Sequence, residues 1–437
     1  MSASPGSYFI DVYGCQMNVR DAELIRGILE EAGLQETEDS RTADVILLVS
    51  CAVREHAETR VLGRLTQLAS LRKKAGGPSC ICLCGCVARE HGDDLLDRFP
   101  GLDLVVGPDC YRDLPGLIRS GTREAVAQSR REHYENVPSV GRAFPRAFVT
   151  VMRGCDNYCA YCIVPLVRGR ERSRSFSMIL AEVEELRERG FGEVALLGQN
   201  VNSYRYRGTG FPRLLDSVAE RAGRMWVRFV TSHPKDFSQN LVEVIAARPN
   251  VCNQVHLPVQ SGSSEILRRM GRGYTREDYL SKVRMLRRAV PDVVISTDMM
   301  AGFPGETEED FRSSVTLLEE VAFDYAFLFR YSERKGTRAC GMENAVPEEE
   351  RLGRLHVLQE VQRGITLRRS RRLVGGHRKV LVTGEGKMPG QRIGRTEGNR
   401  VVVLEEPSLD PGSFAEVRIT GADGWTHMGS LERVCDR

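Results

Sequence analysis

From residue 7 to about 330 the chain repeats one unit, a short apolar run followed by a helical stretch. That rhythm confines it to parallel α/β architecture, because parallel strands need a crossover and a helix is the usual one. In the first series the runs are YFIDVYG, ADVILLVS, CICLCG and LDLVVG, with helices over 18–32 and 53–74. They predict an open parallel sheet in a domain spanning 7–122. Residues 121–145 are charged, carry little hydrophobic pattern and read as a linker. The second series begins at about 146 with RAFVTVM, EVALLG, WVRFVTS, QVHLPV, VVISTDMM and YAFLFRY. Helical segments fall between them near 177–189, 211–222, 238–248, 275–289 and 306–321. Six successive βα units predict a partial TIM-like (β/α)6 barrel within 141–371, whose strand ends (LLGQN, TSHP, AGFPGE) carry the turn residues of functional loops. A helix near 348–372 leads into KVLVTGEG, RVVVLEE and FAEVRIT, which predict a small all-β, OB-like barrel over 373–437.

A length of 437 residues corresponds to about three folded units. The net charge of +3 is too small to establish a nucleic-acid partner, so that case rests on local charge. The opening MSASPGSYFIDVYGC has the look of neither a secretion signal nor a transit peptide, and no apolar run approaches the ~20 residues of a membrane span. A soluble, cytoplasmic protein is expected. In such a compartment thirteen cysteines point to metal or redox chemistry rather than to a disulfide framework.

Cys155, Cys159 and Cys162 lie in RGCDNYCAYCIVP, a C-x3-C-x2-C spacing at the exit of a predicted strand. Three thiolates leave one iron of a four-iron cluster without a protein ligand, open to chelation by a small molecule. Zinc is the competing reading, but a zinc site normally takes four protein ligands and no nearby Cys or His supplies the fourth. Cys15 (GCQMN), Cys51 (SCAVRE) and Cys86 (GCVARE) each end an apolar run. Singly, each reads as a buried small hydrophobe. Together, at the carboxyl ends of parallel strands, they can converge on the ligand crevice and make a second three-thiolate site. Cys80, Cys82 and Cys84 recur at period two and read as core-facing, while Cys110, Cys252, Cys340 and Cys435 read as structural.

The cluster motif, with Tyr161 before its last cysteine, resembles the radical S-adenosylmethionine (SAM) superfamily. With the second cysteine set, the chain resembles the methylthiotransferases over essentially its whole length. That resemblance implies a methylthiotransferase amino-terminal domain with an auxiliary 4Fe-4S cluster, a radical SAM core and a carboxy-terminal TRAM domain. It implies six cluster ligands, Cys15, Cys51, Cys86, Cys155, Cys159 and Cys162. The Gly-Cys context favours Cys86, and Cys84 stays open as a substitute. The implied cofactors are two 4Fe-4S clusters and SAM; the implied partners are a tRNA anticodon stem-loop, an electron donor such as flavodoxin or ferredoxin, and a sulfur source. Within the family, VPLVRGRERSRS (164–175), LLGQNVNSYR (196–205), RFVTSHP (228–234), HLPVQSGS (256–263) and AGFPGET (301–307) look like the MiaB type. That type adds a methylthio group to carbon 2 of isopentenylated adenosine beside the tRNA anticodon. Gly198-Gln199-Asn200 favours it over the sister types, which act on threonylcarbamoyl-adenosine or on a ribosomal-protein aspartate. In the family the auxiliary cluster carries the sulfur, one SAM methylates it and a second SAM generates the radical. A noncatalytic iron–sulfur RNA-binding protein is the rival from another class.

Further residues have a chemical reading beside a bland one. Gly198, Gln199, Asn200 and Gln260 leave predicted strands at their carboxyl ends, where an amide can bind the methionine part of SAM or simply complete a turn; Tyr161 joins them as a cofactor contact. Arg168, Arg170, Arg172 and Arg174 follow the cluster loop, placed to grip RNA phosphate or to form a solvated face. From 363 to 379 the chain holds Arg363, Arg368, Arg369, Arg371, Arg372, Arg378 and Lys379 with no acidic residue between them, an electrostatic footprint for a phosphate backbone. The RNA contacts expected are Arg168, Arg170, Arg368, Arg369, Arg371 and Arg372. His233 and His256 read as satisfied structural groups. No Ser-His-Asp order, P-loop or Rossmann fingerprint supports hydrolase or kinase chemistry, and no side chain beyond the cluster ligands is given a catalytic role.

Overall fold

A computed structural model describes residues 6–53, 55–72, 77–137 and 144–435 of the chain. The expected start of the central domain at 141 and the last two residues of the terminal one lie outside the described residues. The chain divides into two compact units. One comprises residues 1–142, 152–156 and 162–174; the other comprises 143–151, 157–161 and 175–437.

In the first unit β1 (Ser7–Tyr13), α1 (Gln16–Glu31), β2 (Gln35–Glu36), β3 (Val45–Ser50), α2 (Glu55–Arg72), β4 (Cys80–Gly85), α3 (Cys86–Arg98), β5 (Leu104–Val106), α4 (Leu114–Ser120) and β6 (Glu124–Ala125) alternate as expected. The sheet is wholly parallel, in the order β2-β1-β3-β4-β5-β6. Every residue of β3, VILLVS, is buried, as a strand covered by helices on both faces requires. Alternate side chains of β3 and β4 feed two cores: Ile46, Leu48, Ile81 and Leu83 on one face, Val45, Leu47, Val49, Cys82 and Cys84 on the other.

The segment expected as a linker is folded where it is described. Glu124–Ala125 pairs with β5 as the edge strand. Tyr134 is buried, stacks on Tyr111 at 5.6 Å and donates its hydroxyl to the Pro108 carbonyl at 2.8 Å. One aromatic anchor and one added strand hold this stretch, and neither shows as periodicity. After β7 (Arg146–Thr150), which belongs to the second unit, β8 (Met152–Arg153) returns to the first. Following α5 (Val164–Arg168), it pairs antiparallel with β9 (Arg172–Ser173). Gly154 has φ +76°, and a Cβ there would overlap the Arg170 carbonyl, so only glycine fits at the entry to the C-x3-C-x2-C loop.

The second unit continues with α6 (Phe176–Glu188), β10 (Glu193–Leu197), the hairpin β11 (Arg205–Tyr206) and β12 (Thr209–Gly210), α7 (Phe211–Ala222), β13 (Trp226–Phe229) and α8 (Gln239–Ala247). Then come β14 (Gln254–His256), α9 (Ser264–Met270), α10 (Arg276–Ala289), β15 (Val294–Ala301), α11 (Glu308–Val321) and β16 (Tyr325–Arg330). Strands β7, β10 and β13 pair in parallel, as do β14, β15 and β16. Residues 250–252 join the two sets, since Val227 N–H donates to Asn250 (2.8 Å) and Cys252 N–H to Val227 (2.9 Å). The result is the expected open six-strand parallel barrel in sequential order. Thr275 with Asp278 and Thr307 with Asp310 form reciprocal caps that start α10 and α11.

Helix α12 (Glu348–Arg371) leads to a closed five-stranded barrel of β17 (His377–Glu385), β18 (Arg392–Thr396), β19 (Val401–Leu404), β20 (Phe414–Asp423) and β21 (Thr426–Cys435). Its core is Val380, Val382, Val402, Leu404, Ala415, Val417 and Ile419. Three folded units are expected from length, yet this barrel and the central one share a compact unit, because the small barrel seats on the amino ends of the central strands. Trp226, at the start of β13, packs with Cys252, Leu381 and Phe414. Arg228 pairs with Glu193 at 2.7 Å and donates to the carbonyls of Thr396 and Glu397. Arg400 reaches Asp324 at 2.5 Å, and a Cβ at Gly398 would come within 2.5 Å of Val294. The turn between β18 and β19 thus stops the lower mouth of the central barrel.

Candidate functional site

Cys15, Cys51 and Cys86 stand at the carboxyl ends of β1, β3 and β4. Cys15 caps α1, Cys51 follows β3 directly and Cys86 opens α3. Asn18 ties two of these ends together: its carbonyl accepts Cys15 N–H at 3.2 Å and its amide donates to the Ser50 carbonyl at 3.0 Å. Gly14 leaves no space for a side chain, since a Cβ there would lie 2.6 Å from Cys51 Cβ. The bond from the Cys51 thiol holds Cys15 down to about 6, against burial and with help from the Arg168 charge. That bond and burial push Cys51 up. Burial raises Cys86 as well, with the Arg168 guanidinium opposing. Cys84 lies on the other side of β4, fully buried in the opposite core with its sulfur 3.4 Å from that of Cys82. Among the described residues no three His, Cys, Asp or Glu side chains close a cage around a single metal ion. A four-iron cluster spaces its ligands more widely than one ion does. An all-sulfur donor set beside a buried cation suits such a cluster rather than a hard cation.

Arg168 is expected at an RNA surface, but it is buried. Its Nε donates to Cys86 Sγ at 3.1 Å and its Nη2 to Asp21 at 2.6 Å. Asp21, with no exposed surface, also pairs with Arg153 at 3.1 Å, two residues before Cys155. Burial pushes the Asp21 carboxyl up, but Arg168 and then Arg153 more than offset it and hold it below its usual range. Arg172 is likewise turned inward, to Asp109 at 2.7 Å, and Arg174 is buried. The regular Arg-x-Arg spacing along 168–174 looks like a solvated basic edge, but acidic partners from distant segments draw Arg168 and Arg172 in. Arg170 is exposed and pairs with Asp156 at 3.0 Å.

In the C-x3-C-x2-C loop Cys155 and Cys159 are buried and Cys162 is half-buried. Cys159 has a partner that sequence reading misses. Arg272, itself buried, directs Nη1 to Cys159 Sγ and to the Tyr161 hydroxyl, both at 3.3 Å. Its other donors go to the Pro258 carbonyl (2.7 Å) and the Tyr274 hydroxyl (2.9 Å). Gly271 and Gly273, both at φ +72°, fold the chain so that this one arginine points inward. The sequence signal is MGRGYT, a cation between two glycines. Each expected cluster therefore has one buried arginine hydrogen-bonded to one of its cysteine sulfurs.

Gly198 is buried and Gln199 half-buried just past β10. Asn200, expected to offer its amide to SAM, has both ends engaged within the fold, accepting from His233 N–H (3.1 Å) and donating to Asp236 (2.7 Å). It positions the loop after β13. Gln260 is buried at φ +75° and bridges Met299 through its backbone. Gly262 packs on the Ser313 carbonyl and completes the turn. His233 accepts from Lys235 N–H, and His256 contacts Ser296 (3.0 Å) and Asp298 (3.3 Å). At the end of α12, Arg368, Arg371 and Arg372 are exposed, whereas Arg369 is held by Asp324 at 2.8 Å. That ion pair corrects its reading as a phosphate contact.

Comparison with known proteins matches three family models to this chain: the Radical SAM superfamily over residues 149–318, the Uncharacterized protein family UPF0004 over 7–107 and the TRAM domain over 371–431. The tRNA-2-methylthio-N(6)-dimethylallyladenosine synthase of Chlorobaculum tepidum is 44% identical over 439 residues, covering 98% of each chain. That of Bacteroides thetaiotaomicron is 46% identical over 434 residues, covering 96% of this chain and 95% of the relative. Among solved structures, the radical S-adenosylmethionine methyltransferase TsrM from Kitasatospora setae aligns with TM-score 0.58 at 15% identity, covering 75% of this chain and 72% of that one. The cobalamin-dependent S-adenosylmethionine radical enzyme OxsB aligns with TM-score 0.56 at 12% identity, covering 82% and 56%. These two are likenesses of fold.

Proposed function

From the family of tRNA-2-methylthio-N(6)-dimethylallyladenosine synthases, to which this chain belongs, we infer that it is a radical SAM methylthiotransferase acting on carbon 2 of a prenylated adenosine in a tRNA anticodon loop. The observation that carries this reading is the pair of three-cysteine sets, one at the strand ends of the amino-terminal sheet and one in the loop that enters the central barrel. Cys15, Cys51 and Cys86 would hold the auxiliary cluster, and Cys155, Cys159 and Cys162 the SAM-binding one. When bound, these clusters supply the sulfur and the electron that splits SAM to a 5′-deoxyadenosyl radical, which is what removing an unactivated aromatic hydrogen demands.

The chain's own contribution is to hold and shield. Arg168 and Arg272 place buried positive charge and N–H donors against cluster thiolates, where a low dielectric strengthens both. Asn200 fixes the loop after β13 and Gln260 the one after β14, two of the strand ends that face the chemistry. Among the described residues no helix is long and apolar enough to cross a membrane. A reducing, cytoplasmic setting suits the thiols, with a flavodoxin- or ferredoxin-type donor and a separate sulfur source.

Exposed Arg368, Arg371 and Arg372, at the entry to the small barrel, would take phosphates of the stem-loop and position it without reading sequence. Reversing Arg371 and Arg372 to Glu is expected to weaken tRNA binding at low salt and to lower the salt slope by about two, with SAM cleavage unchanged. Titrations at several salt concentrations check this, and an unaltered slope rejects the assignment. The function itself is tested anaerobically with reconstituted protein, SAM, reductant, sulfide and prenylated tRNA, by nucleoside mass analysis. Gain of a methylthio group on the prenylated adenosine is expected. 5′-Deoxyadenosine without that product would redirect the reading to threonylcarbamoyl-adenosine.

A further inference from the structure

Two phenylalanines sit where a soluble fold does not ordinarily leave them. Phe327 and Phe329 on β16 are 45% and 41% exposed, side by side in the strand register. Pairing with β15 sets Phe327 opposite Asp298 and Phe329 opposite Met300, and pairing with β14 sets His256 opposite Ser296. These residues therefore share one face of the sheet. The other face of β15, Ile295, Thr297 and Met299, is fully buried, so the face with the phenylalanines is the open, inner wall of the partial barrel.

That wall has a chemical character. His256 lies between Ser296 (3.0 Å) and Asp298 (3.3 Å), and its ring meets Phe327 edge-on at 5.9 Å. Tyr325 meets Phe327 at 5.5 Å. Met300, beside Phe329, packs with Tyr161 against the cluster of Ala160, Phe303 and Tyr331. The phenylalanine pair thus belongs to the wall that runs up to the loop carrying Cys159, with a carboxylate in the same row.

Resting on the function proposed above, we propose that Phe327 and Phe329 are the specificity surface for the branched, apolar dimethylallyl substituent on the target adenine. Two ring faces at the open side of the barrel offer contact area to a five-carbon hydrocarbon that would otherwise stay in water. Asp298 in the same row disfavours the rival substituent, threonylcarbamoyl, which carries a carboxylate of its own. The structure so assigns to one strand the choice between two modified adenosines.

The test is binding of the reconstituted full-length protein to two anticodon stem-loop RNAs that differ only in the dimethylallyl group. The wild type is expected to prefer the prenylated RNA. The double variant Phe327→Ala/Phe329→Ala should lose roughly 10- to 100-fold of that preference with little change towards the unprenylated RNA, and Phe327→Leu should keep most of it. A double variant that retains the preference, or one that binds both RNAs equally less well, overturns the proposal. A wild type that makes no methylthio product from prenylated tRNA instead overturns the function on which the proposal rests. Circular dichroism of the double variant identifies a folding defect, and in that event Phe327→Thr, which removes the ring and keeps a β-branched residue in the strand, reads the same preference.

Discussion

Replacing Cys86 with alanine is expected to abolish the methylthio product while leaving 5′-deoxyadenosine formation in place, and to cut bound iron by about half, one cluster of two being lost. Cys84→Ala should do neither. Cys84 is fully buried on the opposite face of β4, against Cys82 and the second core. Its loss costs only a small cavity, on the order of 1 kcal/mol. Iron and sulfide analysis of the two variants, with nucleoside and 5′-deoxyadenosine mass analysis, separates them. Iron loss in Cys84→Ala with full occupancy in Cys86→Ala would reverse the assignment. The two cysteines are two residues apart in a run of four, and local spacing cannot choose between them. The strand ends at Gly85, whose φ of +98° turns the chain, and the next residue leaves the sheet for its edge.

The second large effect concerns Asp21. Changing it to alanine leaves Arg153 and Arg168 buried without their shared carboxylate, and the cost expected is about 3–5 kcal/mol. Native-state proteolysis of the amino-terminal unit should then speed up by more than a hundredfold, because each 1.4 kcal/mol is a factor of about ten. Asp21→Asn should recover part of the loss through shape and one acceptor. The acid response follows from the same pairings. The folded carboxyl sits below its unfolded value, so its contribution is fully present above about pH 4 and is lost as pH falls through the depressed folded value. The Asn variant, with no charge to lose, should show a flatter stability profile in that acid range. Coupling is checked with Arg168→Met: combined with Asp21→Asn it should cost less than the two changes summed, since neither then strands the other.

Much of this fold is legible in the sequence because parallel strands covered on both faces write themselves as apolar runs. VILLVS and EVALL are visible without neighbours. Helix limits follow from Thr275 and Thr307 with their acidic partners three residues on. The two three-cysteine sets proposed as cluster ligands stand out by the C-x3-C-x2-C spacing and by the place of Cys15, Cys51 and Cys86 at strand ends. What is not readable is pairing at long range. Nothing in VRGRERSRS says that Arg168 meets Asp21 on the first helix or that Arg172 meets Asp109. A basic stretch looks alike whether it faces solvent or buried carboxylates. Tyr134, whose partner Tyr111 is 23 residues away, gives 124–137 its place in the fold, and charge composition conceals it. Arg272 is hidden for a further reason: its role depends on a cysteine 113 positions earlier.

The small barrel's turn at Glu397–Arg400, set into the lower mouth of the central barrel, has a consequence for measurement of length. With Arg228, Asp324 and Val294 gripping that turn, the two barrels share one compact unit, which holds both the basic end of α12 and the inner wall at Phe327. On the proposed function, an RNA held at one end by its phosphates would be offered to the other at a set reach, much as a caliper admits only objects of its own gap. A stem lengthened or shortened by a few base pairs would carry the right base to the wrong place. Selection of the target adenosine would then rest on how far it lies from the grip as well as on what it carries.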